Sequence, residues 1–68
     1  MSLKDNSTFR RSLDLLDQIE SLSKGYKNVE ARMWLKNASK KIQRAIHEEF
    51  HVSPEVAMSL KDEILRGN

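Results

Sequence analysis

The sequence predicts an all-α protein: an antiparallel hairpin of two long helices, about residues 8–24 and 29–50, plus a short third helix over about 54–66, paired into a helical bundle. Three observations predict it. Apolar residues recur near a period of 3.6 over two long stretches, Phe9 to Leu22 and Ala31 to Ile46. Only Gly25-Tyr26-Lys27-Asn28 separates them, and so short a link between long helices folds the second back along the first. Ser53-Pro54-Glu55 then places an oxygen-bearing cap, a proline and an acid in the order in which a helix begins.

Residues 1–6 read as a flexible lead-in, and 7–68 as a single small helical domain. Asn6, Ser7 and Thr8 each offer a side-chain oxygen to cap the first helix. Phe9, Leu13, Leu15, Leu16, Ile19 and Leu22 cover roughly half its circumference, the pattern of a helix packed on one side. Gly25 is expected to end it in the left-handed conformation, and Asn28 to cap the next. In the second helix Ala31, Ala38 and Ala45 recur every seven residues, with Leu35, Ile42 and Ile46 beside them and Trp34 at the edge. Small residues along one seam let a neighbouring helix approach closely. The third helix is expected to turn Val56, Ala57, Leu60 and Ile64 inward and to stop at Gly67.

Size and composition narrow the function. A chain of 68 residues buries only about 60% of its unfolded surface, so its core is thin. Without cysteine it has no disulfide, thiolate metal site or cysteine nucleophile. There is no glycine-rich phosphate loop, and no serine is paired with a base, so an enzyme is not expected. No long uncharged apolar run suggests a membrane span, and the first residues lack the apolar centre of a signal peptide, so a cytoplasmic protein is expected.

Two places break helix electrostatics. Arg10 and Arg11 fall in the first turn of the first helix, at the positive end of its dipole. Glu48 and Glu49 fall in the last turn of the second, at the negative end. Because these ends meet in a hairpin, ion pairs between them are expected, or else fraying of the second helix before Glu49.

His47-Glu48-Glu49-Phe50-His51 matches H-E-x-x-H, the helix motif of zinc proteases, and makes His47 and His51 candidate metal ligands. The surroundings depart from that family. Glu49 is charged where an uncharged residue is usual, Ser53 stands where a hydrophobic one is typical, and Pro54 follows at once. Read from sequence, the two are ordinary solvated histidines, and no cofactor is expected.

Two functions compete. In the first, the chain is a non-enzymatic protein-binding module, a small regulator, adaptor or chaperone-like subunit acting as a homodimer or in a hetero-complex. Its contact residues would be Ala31, Trp34, Leu35, Ala38, Ile42 and Ala45, with Trp34 the anchor. In the second, the basic row Arg32, Lys36, Lys40 and Arg44, with Lys41 beside it, binds nucleic-acid phosphates. Neither calls for a small-molecule substrate.

Overall fold

A computed structural model of the chain describes residues 2–67. Met1 and Asn68, the first residue of the expected lead-in and the last of the helical unit, lie outside the described residues. Helix α1 spans Ser7–Gly25, α2 Val29–Phe50 and α3 Pro54–Leu65. Helices α1 and α2 run antiparallel as a hairpin, and α3 packs on both.

Side-chain caps set the three starts. Asn6 Oδ1 accepts the Phe9 N–H at 3.0 Å and Asn28 Oδ1 the Ala31 N–H at 3.0 Å, while Ser53 Oγ accepts from Val56 at the start of α3. The ends depart from expectation in one case. Gly25 does not adopt a left-handed conformation; it is the last residue of α1, and Tyr26 leaves the helix in an extended one, φ −83° and ψ 131°. The extended turn leads straight to the Asn28 cap and needs no positive φ. Two other residues do turn left-handed: His51 (φ 57°) after α2 and Gly67 (φ 73°) after α3.

Phe9, Leu13 and Leu16 of α1, Ile46 of α2, Val52 of the α2–α3 link and Ala57 of α3 form the buried core. Phe9 and Phe50 meet edge to face, their ring centroids 5.2 Å apart, at the end of the hairpin far from its turn. The lead-in is structured from Leu3: Leu3–Asp5 form a 3-10 turn whose leucine packs on the core. Lys4 Nζ pairs with Glu63 at 2.9 Å, and the Lys4 carbonyl accepts from Arg10 Nη1 at 3.1 Å. Val56, expected inward, is exposed; Ala57, Leu60 and Ile64 do face the core.

Gly25 Cα faces open space, so an added methyl would meet no heavy atom within 4 Å. Gly25→Ala is therefore expected to stabilise the protein by about 0.5–1 kcal/mol, since alanine loses less backbone entropy on folding. Urea denaturation checks it; a loss of stability would show that the α1 terminus needs glycine after all.

Candidate functional surfaces

The burial of α2 is rotated away from the alanine seam. Its most enclosed line runs through Leu35, Ser39, Ile42, Ile46 and Phe50. Ser39 is buried and its hydroxyl receives Gln43 Nε2 at 3.2 Å. Ala31, Ala38, Leu35 and Ile42 are half-buried against α1, whereas Ala45 and Trp34 are exposed, Trp34 at 67%. The six residues expected as one contact surface thus divide: four belong to the edge of the hairpin interior and two to an open flank. Ser39 was missed because a serine inside a helix gives no burial signal in sequence.

The side on which α3 lies follows from its contacts. Lys61 of α3 pairs with Asp17 and Glu20 of α1, and Pro54 shares a crevice with Gln43 and His47 of α2. At about 100° per residue, Leu15 and Leu22 stand roughly 140–160° round α1 from Asp17, and Trp34 half a turn round α2 from Gln43. They therefore share the face opposite α3. There Leu15 (46% exposed) and Leu22 (48%) form one row, and Trp34 and Ala45 another, with the half-buried Ala38 at its inner edge.

On the α3 side, beyond the end of α3, lies an open groove of about 380 Å³ between α1 and α2. Ile19, Leu35 and Ser39 line it, together with Lys24, Lys36 and Lys40. The basic row runs along this side. Arg32 donates from Nε to the Tyr26 carbonyl, and Arg44 reaches Glu48 one turn on at 4.0 Å. Among the described residues Lys36, Lys40 and Lys41 make no ion pair. The acids of α1 do not balance this row: Lys61, 3% exposed, engages Glu20 at 2.7 Å and Asp17 at 3.7 Å, and Asp14 accepts from Gln18 Nε2 at 3.1 Å.

The expected pairing across the hairpin end is not formed. Arg10 is held by the Lys4 carbonyl, and α2 does not fray, since it continues through Glu49 to Phe50. Arg11 and Glu49 make no ion pair among the described residues.

The histidines part company at the end of α2. His51 has left the helix, its N–H bonding the His47 carbonyl at 2.8 Å, so the two rings are not one turn apart on a continuous helix. His47 Nδ1 lies 3.2 Å from the Val52 carbonyl, and no group of three or more potential metal ligands occurs among the described residues. No helix of the described residues is long and apolar enough to cross a membrane. Comparison with protein-family models, curated proteins and solved structures finds no match to this chain.

Lys61 makes the strongest electrostatic contact between α3 and α1, and its two acids are partly exposed. Glu20→Ala leaves the buried ammonium with only the longer Asp17 contact, and is expected to cost about 1–3 kcal/mol. Lys61→Met should cost less, because methionine fills the stem's volume and both carboxylates regain water. Paired thermal or urea unfolding of the two variants checks the order; the reverse order would make this lysine's charge, not its stem, the stabilising part.

Proposed function

We propose that this chain is a non-enzymatic protein-binding module that docks through the face of its hairpin opposite α3. The observation that carries the reading is the pair of apolar rows there, Leu15 and Leu22 beside Trp34 and Ala45, with Ala38 at the inner edge. Scattered surface leucines are ordinary, but these stand at helical spacing on adjacent helices, where a docking partner would bury them together. Trp34 is the anchor, a large side chain that loses little conformational freedom on burial. The role that follows is that of a regulator, adaptor or chaperone-like subunit, working as a homodimer or within a hetero-complex.

A specific observation also supports a second reading, phosphate binding by the basic row. With Asp17 and Glu20 engaged by Lys61, Lys36 and Lys40 are left without an acidic partner and stand open to an outside anion. Nucleic acid would then lie along Arg32, Lys36, Lys40 and Arg44, on another side of the molecule from Trp34.

The two readings respond to different variants. If the apolar face docks protein, the chain self-associates or binds a hydrophobic dye at micromolar concentration. Trp34→Ala and Leu22→Glu should weaken the association by roughly tenfold or more, with stability changed by no more than about 0.5 kcal/mol. A strictly monomeric particle that binds no dye would refute the reading. If the basic row binds nucleic acid, affinity should fall with salt at a log–log slope of about −3 to −4 for four phosphate contacts. Binding indifferent to salt, or none at low salt, removes the second reading.

A further inference from the structure

We infer that a second copy of this chain covers the apolar face, with α1 of each copy lying antiparallel on α2 of the other. This rests on the docking reading above and specifies the occupant. Shape is the first ground. The α1 row carries Leu15 and Leu22, whereas the α2 row sets the small Ala38 and Ala45 between the larger Trp34, Lys41 and Glu48. A twofold axis parallel to the helices brings Leu22 near the level of the partner's Ala38 and Leu15 near that of the partner's Ala45. An axis perpendicular to them would set leucine on leucine and alanine on alanine, crowding one half and leaving the other underfilled.

Charge is the second and stronger ground. Arg11 stands four residues before Leu15 and heads the α1 row; Glu48 stands three after Ala45 and closes the α2 row. Both lie at the end of the hairpin where Phe9 meets Phe50. Rotation about an axis parallel to the helices leaves heights unchanged. The partner's Arg11 therefore arrives at the height of Glu48, and the partner's Glu48 at that of Arg11. Two reciprocal ion pairs result, from residues that the single chain leaves poorly served. Among the described residues Arg11 has no acid within reach, and Glu48 has only the solvent-exposed Arg44 at 4.0 Å. Lys41, the cation within the alanine row, comes level with the partner's Gln18, so its stem can cover the alanines while its ammonium reaches the rim.

Charge reversal tests this arrangement. Arg11→Glu and Glu48→Lys each put a charge where that helix's own dipole favours it, so each variant should fold, which helical circular dichroism verifies. Sedimentation equilibrium should find the natural chain dimeric and each variant alone weakened by about tenfold, because both of its pairs become repulsive. An equimolar mixture of the two variants should recover the natural affinity. In the mixed dimer the two introduced side chains, opposite in sign, face each other, and the unaltered Arg11 of one copy faces the unaltered Glu48 of the other. A mixture that fails to recover overturns the pairing. A natural chain that stays monomeric from micromolar to millimolar concentration overturns the second copy as occupant. In that case dye binding sensitive to Trp34→Ala would leave the docking reading standing, and absence of dye binding would end both.

Discussion

Helix α3 has 12 residues and α2 has 22, which at about 1.5 Å per residue is roughly 18 Å laid against a rod of 33 Å. That mismatch governs what the chain can bury. Where α3 lies, three helices and the Leu3 turn enclose Phe9, Leu13, Leu16, Ile46 and Ala57, all at 2% exposure or less. Beyond it the hairpin is only two helices thick. Two helices hide the surfaces they turn to each other and leave both flanks wet, so Ile19 and Leu35 line an open groove on one flank. On the other, Leu22 and Trp34 stay exposed. A small domain gains stability with each residue it encloses, and this one encloses them mainly at one end.

The electrostatics divide along the same geometry. Lys61 is carried by α3 into contact with α1, where Glu20 and Asp17 receive it. Burying an ammonium costs several kcal/mol unless it is paired, so these acids hold α3 in place and are not free to neutralise anything else. The positive charge of α2 is left facing water as a consequence. Lys4 and Glu63 add a second tie, between the N-terminal turn and α3, on a more exposed and weaker footing. The exposed surface thus carries an apolar face opposite α3, with Lys41 in its midst, and a basic one beside it.

Much of the fold could be read from local chemistry. Asn28 and Ser53 cap where their side chains said they would, and α2 begins at Val29 and ends at Phe50 as its periodicity required. What failed were properties decided by packing. The alanine period suggested the centre of the hairpin contact, yet burial follows Leu35, Ser39, Ile42 and Ile46, because α3 draws the enclosed side of α2 towards itself. Val56 looked inward by pattern and is turned to solvent, since so short a helix contacts its neighbours along a narrow strip. Gly25 looked like a left-handed stop, but an extended turn into the Asn28 cap served equally well. The candidate surfaces are legible as residue types and not as a shared face: helical period groups Leu15 and Leu22 with the packed side of α1, and only the position of α3 leaves them outside it with Trp34.

The misplaced charges weaken the monomer, and a constraint beyond monomer stability would account for them. Exchanging Arg11 and Glu48 would suit both helix dipoles, each worth about 0.3–1 kcal/mol, and would disturb no buried contact, since both side chains are exposed. In a chain with so thin a core that is an appreciable fraction of what holds it folded. Proteins break local rules chiefly where something outside the local structure compensates. Arg10 finds its compensation in the Lys4 carbonyl, inside the chain. Arg11 and Glu48 find none comparable, and they lie at one end of the same unpaired apolar rows. A heterologous partner would need an acid and a base at matching heights on its own surface, whereas a second copy brings both by symmetry. In the proposed dimer the same rotation would also cover the flank that the short third helix leaves open, so one association would answer both the deficit in burial and the unpaired Arg11 and Glu48.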